Sequence, residues 1–219
     1  GIALLVTIPA AAIALPVAYY MARIASPRKR ALLLVAVTMP LWASYLVKIY
    51  AWRTILQTNG LLGWAISPFG LEGPGLTEIA NSWLVLTYLW LPYMILPVYA
   101  GIERIPNSLL EASADLGGRG WMTFRRVIFP QLIPALAAGS IFTFSLSIGD
   151  YIVPDLVSDA KFIGNVIYDN SALGSFPVAA AYSFVPIGVM IAYLFFDFVL
   201  QQFHDRLPII VVGPPNLDW

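Results

Sequence analysis

Cysteine is absent from the 219-residue chain, and histidine occurs once, as His204. Without cysteine there are no disulfides, thiolate metal sites or cysteine nucleophiles, and a single histidine leaves little for metal chemistry. Charge is also scarce, because 11% of the residues are charged and 12 basic residues balance 12 acidic ones. Soluble domains carry about 25% charged residues, and nucleic-acid-binding domains are basic. The composition therefore argues against a soluble domain and gives no sign of a nucleic-acid partner.

Apolar sequence is what the chain has in excess: 59% of its residues are hydrophobic and its mean hydropathy is +0.78. A helix that crosses the hydrocarbon of a bilayer needs about 20 residues. Five weakly charged runs of about this length predict five membrane helices, at residues 1–22, 31–47, 79–102, 127–149 and 170–196. We therefore predict an all-α, polytopic membrane helix bundle in which residues 1–219 form a single transmembrane domain.

Residues 54–71 are uncharged too, but they are interrupted by Asn59-Gly60, Gly63, Pro68 and Gly70. Such residues leave backbone groups unpaired, which is costly in lipid. This stretch is predicted to be a loop with a short interfacial helix outside the membrane.

Lysine and arginine in short loops indicate the cytoplasmic side of a membrane protein. Basic residues cluster between the first and second spans, between the third and fourth, and after the last, whereas residues 54–78 hold none and residues 150–169 hold only Lys161. Lys48 and Arg53 are taken as an extension of the second span, because their long side chains can reach the interface. This distribution predicts a cytoplasmic C-terminus and places Gly1 outside. Because the chain begins in apolar sequence without methionine, we expect a sixth span upstream. A signal peptide is the alternative for residues 1–22, but no basic region precedes them.

The connection at residues 103–130 is polar and carries recognisable helix signals. Ser108 and Glu111 have the spacing of a capping box, which predicts a helix start, and Gly117-Gly118 is a typical helix end. A second short helix, at residues 121–129, is predicted to lead to Pro130. The segment is therefore expected to form a compact helix-turn-helix that projects into the cytoplasm.

The same segment resembles the EAA loop of ABC importer permeases. The resemblance rests on Glu111-Ala112-Ser113, Gly117-Gly118, Phe124, Val127 and Pro130, all at the family's spacing, with Ser113 in place of an alanine. It implies a coupling helix that docks on a cytoplasmic ATPase. The residues to which it gives this role are Glu111, Ala112, Ser113, Gly117, Gly118, Phe124 and Pro130.

The resemblance also implies an assembly in the inner membrane of a prokaryote. Its expected partners are a second, related permease subunit, two ATPase subunits, an external substrate-binding protein and the lipid bilayer. Gly117-Gly118-Arg119-Gly120 lacks the Lys-Ser/Thr of a phosphate-binding loop. This chain is thus expected to be no enzyme and to bind no cofactor, with ATP and Mg²⁺ held by the ATPase.

A second resemblance concerns the cargo. Residues 149–156 and 162–167, together with Pro40-Leu41-Trp42 and Tyr50-Ala51-Trp52, are similar to the corresponding segments of spermidine/putrescine-type permeases. This likeness implies a small cationic substrate, most simply a polyamine. Related permeases carry other cargo, so a different small solute remains the alternative.

The outward segments are acidic, with six carboxylates against Lys161, and aromatic residues lie near them. A carboxylate beside an aromatic ring attracts an ammonium group. The candidate substrate-pathway residues are Asp150, Tyr151, Asp155, Trp52 and Trp83. Interfacial aromatic belts and loops poor in lysine also occur without regard to cargo.

A secondary transporter that works alone is a competing interpretation. It would need ionisable residues inside the membrane for coupling, and the predicted spans offer only Asp150 and Asp197, both at helix ends. An integral membrane enzyme is disfavoured because no cluster of His, Cys or carboxylates lies at membrane depth.

Overall fold

The structure is a computed structural model, and it describes residues 1–57, 60, 61, 64, 77–158 and 160–206. These residues form helices joined by short turns, and no strand occurs among them, which confirms the all-α class. The helices are α1 (Ile2–Tyr19, continued by a π-helical segment, Tyr20–Ile24), α2 (Pro27–Trp42), α3 (Tyr45–Leu56), α4 (Glu78–Arg104), α5 (Asn107–Asp115), α6 (Gly120–Gly149), α7 (Ile152–Val157), α8 (Ile163–Ala172) and α9 (Phe176–Arg206).

Four helices are long and apolar enough to cross a membrane: Ile2–Ile24, Glu78–Arg104, Gly120–Gly149 and Phe176–Val199. They confirm four of the five predicted spans. The last begins six residues later than predicted, because Gly174 adopts a φ of +74° and closes α8 first. The amide of Ser175 donates to the carbonyl of Asn170 at 2.9 Å in this turn, so residues 170–172 belong to α8.

The predicted second span at residues 31–47 is not one unbroken helix, because it covers most of α2 and the start of α3. The chain bends by 98° between α2 and α3, so this region is one span only if the bent pair is counted together. Pro40 lies in the last turn of α2, and Ala43 and Ser44 are extended. The ammonium of Lys48 donates to the Pro40 carbonyl at 3.0 Å across the bend. Hydropathy detects the apolar run, but it does not detect the bend.

The predicted loop at residues 54–71 lies mostly outside the described residues, and α3 extends into its start as far as Leu56. At the other polar segment, the separate helix predicted at residues 121–129 is not observed. Gly120–Gly149 is one continuous helix with a π-helical segment at Phe124–Ile128. Within residues 103–130, α5 is therefore the one helix that stands apart from the spans.

The ends of the bundle differ in charge. Arg23, Arg30 and Arg104 lie at the end where α1 and α4 finish, which we call the basic end. Asp150, Asp155 and Asp169 lie at the opposite, acidic end, beyond the finish of α6. A layer of buried side chains lies towards each end, and α1 contributes to both.

Small residues on one face of α1 allow it to lie close to α4. Its buried positions recur at helical spacing: Ala3, Val6, Thr7, Ala10, Ala14 and Ala18. The contact between α4 and α6 also depends on small residues. A Cβ added to Gly101 would lie 2.7 Å from the Cβ of Ala135, so the helices approach too closely there for a larger residue. Close approach at small residues is the usual way in which membrane helices pack.

Candidate functional site

The coupling helix predicted from the sequence corresponds to α5. It begins at Asn107, with Pro106 as its N-cap, and no side chain caps it. The capping box predicted for Ser108 and Glu111 is therefore wrong: Ser108 lies inside the first turn rather than before it. Glu111 and Ala112 are exposed, so both side chains face away from the protein.

The end of α5 matches the expected glycine closure. Gly117 has a φ of +77°, its amide donates to the carbonyl of Ala114 at 2.9 Å, and the amide of Gly118 donates to the carbonyl of Ser113 at 2.8 Å. These two bonds define a Schellman motif, which favours glycine at the left-handed position. The conformation predicted for Gly117 is thus confirmed.

A second set of contacts joins the turn to α6. The hydroxyl groups of Ser113 and Thr123 lie 2.9 Å apart, and a Cβ on Gly118 would lie 2.5 Å from the Ser113 Oγ. Gly118 is therefore required by close approach, whereas Gly117 is required by its backbone conformation. The loop has one defined shape as a result.

Phe124 connects this turn to the bundle. Its ring stacks on Trp121, with centroids 5.6 Å apart, and meets the ring of Tyr19 edge-on at 6.2 Å. It packs against the buried layer at the basic end. Pro130 lies in the first turn of Phe129–Gly149, directly after the π-helical segment, so it lies inside a continuous helix and does not mark its entry.

The loop exposes apolar side chains where a solvated loop would be polar. Leu116 is 83% exposed and Trp121 72%, and Leu109 and Met122 are exposed as well. Together, these four residues form what we call the loop apolar face. Exposed apolar patches of this kind mark surfaces that contact another protein or a membrane.

At the acidic end, Asp150 is buried and bound on both carboxylate oxygens. Its Oδ1 accepts from the amides of Ile152 at 3.0 Å and Val153 at 3.1 Å, and its Oδ2 accepts from the hydroxyl of Tyr45. The carboxylate thus caps α7. Burial raises the pKa of Asp150, and these three hydrogen bonds oppose the rise. The partner Tyr45 follows the bend between α2 and α3, and no sequence signal pointed to it.

Tyr151 lies against Tyr168, with stacked ring centroids 4.4 Å apart. Asn165 is buried and donates to the Tyr151 carbonyl at 2.9 Å, which holds α7 and α8 together. The two rings line a cavity of about 240 Å³ with Gly149, Gly164 and Pro186 among its walls. One face of each ring is therefore covered by the other ring.

Asp155 lies apart from the carboxylate contacts of Asp150. It is exposed, and its Oδ1 lies 3.8 Å from the Nζ of Lys161, which also donates to Asp169 at 2.9 Å. The hydrogen bond from Lys161 to Asp169 raises the pKa of the lysine, and Asp155 adds to the effect. The lysine thus balances part of the acidic charge at this end.

Trp52 and Trp83 pack against the buried layer at the acidic end. Trp52 meets the ring of Tyr88 at 5.2 Å. The indole nitrogen of Trp83 donates to the carbonyl of Leu5 at 2.6 Å. That carbonyl lacks its usual α-helical partner, because residue 9 is a proline and has no amide hydrogen. Trp83 thus supplies a partner for a backbone carbonyl that Pro9 cannot satisfy.

Asp197 is a buried carboxylate near the end of the last span, Phe176–Val199. It is 6% exposed in α9, and its Oδ2 has no hydrogen-bond partner among the described residues. In the described part of the chain, no group of three or more His, Cys, Asp or Glu side chains could hold a metal ion.

Comparison with known proteins gives a consistent result. Residues 2–208 match the family model described as "Binding-protein-dependent transport system inner membrane component". The chain is 48% identical to the inner membrane ABC transporter permease protein YdcU of Escherichia coli, over 89% of this chain and 67% of that protein. It is 36% identical to the spermidine/putrescine transport system permease protein PotB of Haemophilus influenzae, over 83% of this chain and 65% of that one. The chain thus spans about two thirds of the length of these curated relatives.

Solved structures share the fold. A chain of a bacterial alginate ABC transporter, in complex with a periplasmic protein that binds an alginate pentasaccharide, superimposes with a TM-score of 0.69 at 15% identity. The match covers 92% of this chain and 77% of the other. A chain of an amino acid ABC transporter superimposes with a TM-score of 0.56 at 18% identity, covering 94% and 90%. With the family match over residues 2–208, these findings show that the chain belongs to the inner-membrane permease family of binding-protein-dependent ABC transporters.

Proposed function

We propose that this permease imports a small organic cation, most simply a polyamine, and that α5 couples it to an ATPase. The loop carries the coupling part of the proposal: a short helix with a Schellman closure presents an exposed apolar face. A rigid helix of this kind suits docking into a groove of another protein. ATP and Mg²⁺ then belong to the two ATPase subunits.

The proposed orientation follows from the ends of the bundle. The basic end, with α5, faces the cytoplasm, and the acidic end faces the external binding protein. The C-terminus is cytoplasmic in this arrangement. The helix α9 exposes apolar side chains along its length, among them Phe184 and Phe195, and this surface suits lipid or the second permease subunit.

The cargo part of the proposal is supported by the likeness to PotB. It is consistent with the charge at the acidic end, where a cation would enter. Three hydrogen bonds reach the carboxylate of Asp150, and a carboxylate has about four acceptor positions. One position therefore remains for an ammonium group. Asp150 directly precedes Tyr151, whose ring lines the cavity together with Tyr168.

The experiment is uptake of labelled putrescine and spermidine by the complete transport system carrying Asp150→Asn. Asparagine caps a helix about as well as aspartate, so this change removes the charge and keeps the cap. We expect uptake to fall by about tenfold or more, which corresponds to the loss of one charge-assisted interaction. Asp169→Asn is the matched control, because Asp169 is an acidic-end residue paired with Lys161, and its uptake should stay within about twofold.

Two results would contradict the cargo proposal. Normal uptake by Asp150→Asn would show that its charge serves only the structure. No uptake of either polyamine by the wild-type system would reject polyamines as the cargo, while the family membership would stand.

A further inference from the structure

Three helices meet at the guanidinium of Arg23, in the π-helical segment that ends α1. It donates to the Oδ1 of Asn107 at 2.8 Å, to the carbonyl of Ile102 at 2.8 Å and to the carbonyl of Ile105. Ile102 lies in the last turn of α4, Ile105 follows it, and Asn107 is the first residue of α5. One side chain of α1 therefore holds the junction between α4 and α5.

A second arginine completes the arrangement. Arg30 of α2 donates to the carbonyl of Met21 at 3.2 Å and to that of Ala22 at 2.8 Å, both in the segment that carries Arg23. It also forms an ion pair with Glu103 of α4 at 3.2 Å. We call Arg23, Arg30, Glu103 and Asn107 the arginine clamp.

The chemistry of the clamp suits arginine specifically. The last carbonyls of a helix have no partner within it, and a planar guanidinium presents several donors in a fixed fork. Arg23 uses that fork on two backbone carbonyls and one side-chain oxygen at once. A lysine would present a point charge and would not hold three groups in this geometry.

We propose that Arg23 is a positioning residue that makes α5 and the basic end of α1 move as one body. This inference rests on the proposed docking of α5. The chain already links α5 to α4 and α6, whereas α1 is 84 residues away in sequence from Asn107. The clamp thus joins α1 directly to α5 by hydrogen bonds. Because α1 contributes to both buried layers, a movement of α5 is passed on to the bundle.

The test is a distance measurement in the transporter purified with its ATPase subunits. Cysteines replace Ser108 in α5 and Ser26, which lies two residues after the π-helical segment that ends α1, and each carries a spin label. The absence of native cysteine from this chain removes background labelling within it. Pulsed electron paramagnetic resonance compares the nucleotide-free state with the state trapped by ATP, Mg²⁺ and vanadate. We expect the same distance distribution in both states of the wild type.

Arg23→Gln should release the junction. The fraction of molecules whose label-to-label distance lies outside the wild-type peak is expected to rise about tenfold. This factor corresponds to the loss of one charge-assisted hydrogen bond. Arg23→Lys should behave in the same way, because charge alone does not supply the fork. Asn107→Ala removes only the hydrogen bond between Arg23 and the Asn107 side chain. It replaces the arginine variants in the experiment if those variants assemble poorly. Arg28→Gln is the matched control: it removes the same charge from an exposed neighbouring position and should leave the distribution unchanged.

A wild-type distance that changes between the two states would overturn the proposal, and so would an unchanged distribution in both Arg23→Gln and Asn107→Ala. A separate cross-linking measurement tests whether α5 docks on the ATPase. A cysteine at Trp121, in the loop apolar face, should cross-link to the ATPase, and the absence of that cross-link would overturn the docking of α5 itself, together with the inference that rests on it.

Discussion

Gly117 offers the sharpest test of how α5 ends. Its φ is +77°, and a Cβ added there would meet no atom within 4 Å. A side chain at this position therefore meets no steric clash, and its effect on stability comes from the cost of the positive φ. A left-handed conformation costs a residue with a Cβ about 1–2 kcal/mol, which reduces the population of the closed turn by about 5–30-fold. The cost is greater for a β-branched residue.

The series Gly117→Ala, Gly117→Val and Gly117→Asn turns this argument into an experiment. We expect the alanine variant to weaken retention of the ATPase on the affinity-purified complex, the valine variant to abolish it, and the asparagine variant to be the mildest, since asparagine tolerates this region. Gly120→Ala is the matched control, because a Cβ there also meets nothing within 4 Å and its φ is not positive. Retention of the ATPase and the rate of proteolysis within the loop are the measurements.

The reasoning would be refuted by wild-type retention in Gly117→Val. It would be refuted equally by a loss in Gly120→Ala as large as that in Gly117→Ala, because the effect would then follow from any added side chain in the loop rather than from the left-handed turn.

Two further predictions concern the membrane part. Trp83→Phe should lower the free energy of unfolding by about 0.5–1.5 kcal/mol, because the carbonyl of Leu5 loses the indole that bonds it in place of the amide missing at Pro9. In a Pro9→Ala background the same change should cost less, since the amide of residue 9 then bonds that carbonyl; equal losses of melting temperature in the two backgrounds would contradict this explanation. Cysteines at Ser26 and Arg119 should be protected in intact cells from an impermeant thiol reagent, while one at the exposed Lys161 should react; external labelling at position 119 would reverse the proposed orientation.

The composition and spacing of the sequence were sufficient for much of the fold. Four membrane helices could be predicted because a helix that crosses lipid needs about 20 consecutive apolar residues. This requirement can be checked on a continuous stretch of sequence, without knowledge of the tertiary contacts. The closure of α5 at Gly117 was predictable for a similar reason: a left-handed position at a helix end favours glycine whatever surrounds it. The permease family could be recognised because its loop has a fixed spacing of such local signals.

Two local features could not be predicted, because the sequence signals fit more than one backbone conformation. The bend between α2 and α3, at Ala43 and Ser44, lies within an uncharged run, where hydropathy is the same for a straight and a bent helix. The start of α5 at Asn107 rather than after Ser108 depends on Pro106 and on the side chain of Arg23, which lies 84 residues earlier.

The roles of the acidic-end residues were decided by tertiary contacts alone. Asp150 accepts from Tyr45 across 105 residues, and Trp83 donates to Leu5 across 78. The sequence by itself determined that these side chains lie near the acidic end of the spans, because charge and aromatic character set their depth in a bilayer. Only the tertiary structure decided which backbone and side-chain groups they satisfy, because a buried polar group takes its partner from whatever helix the packing brings beside it.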